Sequence, residues 1–124
     1  LNSVGEPDIS PVGTINQGDS KTIRWKCQNT GDGAGMAVLR VDQVSPDPTT
    51  GLLLGSNITV LPGETIDVVV TGTYNQTPGD YTMKVAMLDS TTATRPEVDS
   101  RTFPLAIAAS VPRAILTAGT LVIT

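Results

Sequence analysis

Apolar residues in this chain recur at every second position, and no stretch carries the three-and-four spacing of an amphipathic helix. A period of two sends alternate side chains to opposite faces of a strand, so each such run has one face for a core and one for water. Residues 20–28 are the clearest case. Ile23, Trp25 and Cys27 share one face, and Thr22, Arg24 and Lys26 share the other. Residues 35–44 alternate Ala37, Leu39 and Val41 with Met36, Val38, Arg40 and Asp42, and their first half is apolar on both faces, as in a strand covered twice. Residues 65–74 place Ile66, Val68 and Val70 together, and residues 81–88 do the same with Tyr81, Met83, Val85 and Met87.

Twelve Gly and nine Pro in 124 residues interrupt these runs about every six residues, which disfavours long helices and suits short strands. Asn29-Thr30-Gly31-Asp32-Gly33, Pro46-Asp47-Pro48, Leu61-Pro62-Gly63-Glu64 and Thr77-Pro78-Gly79-Asp80 read as turns, because Pro presets φ and Gly, Asn and Asp tolerate the left-handed region. Leu52–Leu54 and Ile58–Leu61 are short apolar runs. The last strand, 98–107, turns Phe103, Leu105 and Ile107 inward. Pro104 within it predicts an edge strand, and the opposite parities of Val98 and Phe103 predict a bulge. With a first strand near Asp8–Ile15 the count is about seven or eight, at the spacing of a sandwich or barrel. The expected organisation is an arm at 1–7, one all-β domain at 8–108, and a hinge with an apolar tail or extra strand at 109–124.

Charge and composition exclude several roles. Net charge is −4 and only 16% of residues are charged, without the basic cluster that phosphate binding needs, so no nucleic-acid partner is expected. There is no histidine, which removes His-based triads and His-ligated metals. One cysteine, Cys27, excludes an intrachain disulfide and a Cys-cluster metal site. No run approaches the roughly 20 apolar residues of a membrane span. The chain opens on Leu1 rather than Met, which leaves a processed product, an excised fragment and an incomplete reading all open.

The order of these signals resembles the bacterial and archaeal immunoglobulin-like domains of the CARDB (cell-adhesion-related) type. The matching pieces are Ile23–Gln28 running into Asn29-Thr30-Gly31, then Leu61-Pro62-Gly63-Glu64-Thr65 opening a Val-rich strand, then Pro78-Gly79-Asp80-Tyr81 opening the penultimate one. The resemblance covers about residues 8–108. It implies an immunoglobulin-like β-sandwich, here with an apolar C-terminal extension, acting as a spacer or interaction module and bringing no catalytic residue or cofactor. Related sandwiches occur in virion proteins. Tyr81 stands where the wider immunoglobulin pattern has a tyrosine corner. Cys27 stands at the first disulfide position, but Met83 occupies the second, so packing replaces a bridge. Trp25 is displaced from its usual third-strand place.

Candidate sites are few. Cys27, on an inward face, reads as core rather than as a reactive thiol. Asp42, Asp47, Asp80, Asp89 and Asp99 lie in or beside loops without the dense oxygen series that calcium requires, and read as solvated turn residues. Glu6, Glu64 and Glu97 fall near turns or termini, too scattered for paired-carboxylate chemistry, and no enzyme activity is expected. Asn57-Ile58-Thr59 and Asn75-Gln76-Thr77 are glycosylation sequons, the second weakened by Pro78.

The tail is the sharpest feature. Ile115, Leu116, Leu121, Val122 and Ile123 form either a strap on the same domain or a donor strand that adds to a neighbour's sheet, with Pro112 and the Ala-rich stretch before it as a hinge. The leading expectation is a non-catalytic structural subunit of an extracellular assembly, a virion decoration or fibre protein or a cell-surface filament, binding copies of itself or a capsid or surface protein. The alternative is an adhesion module that recognises glycan or protein through loops 29–35, 45–51 and 89–97.

Overall fold

The structure is a computed structural model, and it describes residues 1–109. Nine strands follow in order among the described residues: β1 Asn2–Ser10, β2 Ile15–Asn16, β3 Ser20–Gln28, β4 Gly35–Ser45, β5 Thr49–Leu54, β6 Ile58–Val60, β7 Thr65–Thr73, β8 Gly79–Asp89 and β9 Glu97–Ala108. They form two sheets. One is β1-β3-β7 and the other is β2-β9-β8-β4-β5, with β6 also paired to β4. All these pairings are antiparallel except the short one between β2 and β9. The chain is an immunoglobulin-like β-sandwich.

The inward residues are those that alternation selects. Ile23, Trp25 and Cys27 of β3, Val68 and Val70 of β7, Ala37, Leu39 and Val41 of β4, Met83, Val85 and Met87 of β8, and Phe103, Leu105 and Ile107 of β9 fill one core between the sheets. Val38, Ala86 and Leu88 form a second buried cluster on the outer face of the larger sheet, so β4 is apolar on both faces because both are covered. The bulge in β9 falls at Val98: Met87 pairs with Asp99 and Leu88 with Glu97, leaving Val98 unmatched. One extra residue there restores Phe103, Leu105 and Ile107 to the inward parity.

Three boundaries differ from the sequence reading. Residues 1–7 are not a separate arm, because β1 already runs from Asn2 and pairs with β3, as in Asn2 with Gln28 and Ser3 with Cys27. Its pattern is hidden by Gly5, at φ 68°, and by a register shift between Val4 and Asp8. Strand formation there comes from β3 offering an edge, not from local alternation. Residues 11–14 are the crossing of the chain from one sheet to the other rather than strand. The 45–51 loop is shorter than expected, since β5 starts at Thr49.

Asp42 also departs from its expected role as a solvated turn residue. It lies inside β4, 7% exposed, where its carboxylate accepts two hydrogen bonds from Arg40, at 2.8 and 3.0 Å, and one from the Gly51 N–H at 2.7 Å. A carboxylate so bonded tolerates burial because its charge and lone pairs are met.

Antiparallel connection fixes two ends. The turns after β3, before β7 and after β8 (29–34, 61–64 and 90–96) gather at one end. There Asn29 bridges the first two, donating from Nδ2 to the Gly33 and Val60 carbonyls while its backbone carbonyl accepts from Gly63 N–H. The 46–48 and 75–78 turns, and the exit of the chain after β9, lie at the other end. Gln76 donates to Gln43 there, and Gln17 N–H donates to the Ala108 carbonyl.

Candidate functional site

Each sheet has one edge on the same side of the sandwich, β1 in one and β9 in the other. Towards the 29–34 end this side is closed. Arg101 of β9 pairs with Glu6 of β1 at 2.9 Å and with Asp99 at 2.7 Å, and its guanidinium lies 5.4 Å from the centre of the Trp25 ring. Ser3 donates to Asp99 at 2.6 Å, and Trp25 Nε1 donates to the Gly5 carbonyl at 2.9 Å. The Ser3 hydrogen bond, then those from Ser100 N–H and Arg101, hold the Asp99 carboxyl below the usual carboxylate range. Hydrogen bonds to Glu6 and Asp99 push the Arg101 guanidinium higher still. This lock ties one sheet to the other through charge-assisted bonds.

Towards the other end the two edges part. A groove of about 510 Å³ opens there, lined on one wall by Pro7 and Ile9, on the other by Phe103, Pro104 and Ala106, and roofed by Val12 of the crossing segment. That volume lies within the roughly 300–1,000 Å³ typical of binding clefts. Val12 is 88% exposed, so its side chain is open to contact from outside the chain.

Lys21 holds the groove's shape. It has the inward parity of β3, and it is only 4% exposed. Its ammonium donates to the Pro11 carbonyl and, at 3.2 Å, to the Gly13 carbonyl. Two backbone acceptors of the crossing segment are thereby satisfied by one side chain, and the segment is pinned over the sandwich edge. Burial lowers the Lys21 pKa from its ordinary value. Sequence reading passed over Lys21, although its parity with Ile23, Trp25 and Cys27 was the available signal.

The other sequence candidates are dispersed. Cys27 is fully buried, and burial pushes its thiol pKa up, which favours the unreactive thiol. It shares the core with Met83. Tyr81 makes the tyrosine-corner bond, donating from its hydroxyl to the Thr77 carbonyl four residues upstream. Asp89 caps its own turn by accepting from Thr91 N–H at 3.0 Å, and Asp47 and Asp80 are exposed. Glu6 belongs to the lock, Glu64 accepts from Leu61 N–H at 3.0 Å, and Glu97 pairs with Lys84 at 2.9 Å. No three acidic or cysteine side chains converge on a metal-sized space among the described residues. Asn57 and Asn75 are both exposed. Of the three named loops, 29–35 and 89–97 share an end and 45–51 sits at the opposite one, so they do not make one surface. Ile115, Leu116, Leu121, Val122 and Ile123 lie outside the described residues. No helix long and apolar enough to cross a membrane occurs among the described residues.

No protein-family model and no curated protein matches the chain. Among solved structures it is similar to part of a β-glucosidase from Erythrobacter marinus, at 15% identity and a TM-score of 0.57, over 84% of this chain and 15% of that one. It is also similar to part of an Escherichia coli α-2-macroglobulin fragment, at 12% identity and a TM-score of 0.48, over 90% of this chain and 17% of that one. A third likeness, at 13% identity and a TM-score of 0.41, is to the CsuC–CsuE chaperone–tip subunit complex of Acinetobacter baumannii pili, over 97% of this chain and 68% of that one. The chain therefore spans a small part of the first two proteins, and the likeness to the glucosidase shows the sandwich fold alone.

Proposed function

We propose that this protein is a non-catalytic structural subunit of an extracellular assembly, a virion decoration or fibre protein or a cell-surface filament, joined to its neighbours through its terminal segments. One observation carries the reading. Among the described residues two sheets already enclose one core, and the sequence after them carries five more aliphatic residues, Ile115, Leu116, Leu121, Val122 and Ile123. An aliphatic cluster left in water is costly, and a partner subunit is one way to cover it. The partner in this reading is protein: copies of the same chain or a capsid or surface protein.

The test is the solution mass of the purified chain, by size-exclusion chromatography with light scattering, with and without residues 110–124. Oligomers or fibres from the full chain and a folded monomer from the shortened one are expected. A monomeric full chain would remove self-assembly and leave a capsid or surface protein as the partner, to be sought by co-purification from the native source, and recovery of the free monomer alone there would remove the proposal. The second reading, an adhesion module related to the CARDB type, is favoured by the gathering of the 29–34, 61–64 and 90–96 turns at one end. Glycan and protein arrays would test it, with binding lost on substitution of the exposed Asp32 or Thr92.

A further inference from the structure

Among the described residues the edge of β9 is unpaired over a short window. Gln17 N–H bonds to the Ala108 carbonyl, so the backbone groups of Ala108 face outward from β8. By alternation those of Ala106, Pro104, Thr102 and Ser100 face the same way. Pro104 thus sits where its missing N–H breaks no bond to β8. Ser100 is satisfied locally, its N–H donating to Asp99 at 2.8 Å and its carbonyl accepting from Arg101 at 2.8 Å. Beyond it, β2 takes up the edge at Ile107 and Ala108. Between the Arg101 lock and β2 remain Thr102 to Ala106, and this is the stretch that forms one wall of the groove.

The groove is chemically suited to aliphatic side chains. Pro7, Ile9, Val12, Phe103, Pro104 and Ala106 give it a mainly apolar lining, with Asp8 and Thr14 as its polar members, and the buried cation beside them, Lys21, already donates to two carbonyls. Residues 110–124 supply 15 residues beyond Ala109 with matching chemistry. At roughly 3.3 Å per residue, 113–124 extended would reach about 40 Å, ample to enter a neighbour. At the exit of the chain β2 already pairs with β9 at Ile107 and Ala108, so the sheet edge beside the last described residues is taken.

We propose that this groove receives residues 113–124 of a second copy of the chain, an inference that rests on the assembly reading above and names its contact. Aliphatic side chains of the incoming segment fill the space between Val12 and Phe103. Main-chain pairing adds little, because Pro104 offers a carbonyl and no N–H. Groove and exit lie at the same end of the sandwich, so a tail leaving one copy reaches the groove of a copy that meets it at that end.

The experiment uses full-length chains. Val12→Asp places a charge in the groove at an exposed position, and Trp25 fluorescence checks that the fold is kept. The proposal expects the concentration at half-association to rise at least tenfold, and expects a chain carrying Val12→Cys to form a mixed disulfide dimer with a second chain carrying Leu121→Cys or Val122→Cys. Association unchanged by Val12→Asp, yet lost on removing 110–124, would overturn the groove while leaving the assembly reading intact. A full chain that stays monomeric would end the proposal together with self-assembly. A chain carrying both cysteines that closes on itself as a monomer would show the groove taking its own tail, and would also overturn the proposal.

Discussion

Tyr74 offers an uncommon prediction, because replacing it with Phe should stabilise the protein. Its side chain is 1% exposed, and its hydroxyl has no hydrogen-bond partner among the described residues. Burying a hydroxyl unpaired costs about 1–3 kcal/mol by mutational measures. Tyr74→Phe removes the unpaired group and keeps the ring, so a gain of about 1 kcal/mol is expected at pH 7. The alkaline limb gives an independent reading. Burial pushes the Tyr74 pKa up to about 12 from an ordinary 10. Between those values the unfolded chain has released the proton and the folded one still holds it, so stability falls as pH rises. At about 1.4 kcal/mol per pH unit, roughly 3 kcal/mol would be lost by about pH 12. Urea unfolding followed by Trp25 fluorescence, at pH 7 and at steps from 9 to 12, compares the two proteins. The gap in favour of Tyr74→Phe should widen above pH 10. A variant less stable by about 1 kcal/mol or more at pH 7, or a gap flat with pH, would refute the reasoning, since either means the hydroxyl is well bonded or wet.

Gly55 lies where the β5–β6 link crosses β7, and a Cβ there would sit 2.7 Å from the Val69 carbonyl oxygen and 3.3 Å from Val70 Cβ. Gly55→Ala should cost about 1–3 kcal/mol, seen as a lower Tm, while Gly33→Ala, which has open space around it, should be near neutral. Asp99 is held below the usual carboxylate range, first by Ser3. Its contribution is therefore present above about pH 4 and is lost as pH falls through the folded value. Asp99→Asn should be less stable than the parent at pH 7, with the difference shrinking below about pH 4 in parallel chemical unfolding series; a constant difference would contradict the assignment.

Alternation was enough to place most of the core. Whether Leu39 faces in depends on its neighbours at 37 and 41, a local property that the amino-acid order carries directly. The same holds for the Val98 bulge, visible as a parity conflict with Phe103, and for Tyr81, whose partner is four residues away. Other features depend on which distant edges meet. β1 is a strand because β3 lies beside it, although Gly5 and Pro7 break its pattern. Asp42 is buried because the Gly51 N–H reaches it from β5, beside the local pairing with Arg40 on its own strand. Lys21 can stay inside because the crossing segment brings two carbonyls, from Pro11 and Gly13, over its ammonium. The groove is the clearest instance. Pro7, Val12 and Phe103 are ordinary residues in the chain, and only the parting of two sheet edges, nearly a hundred residues apart in sequence, makes them one surface. Local order sets which way a side chain points; long-range pairing decides what it meets there.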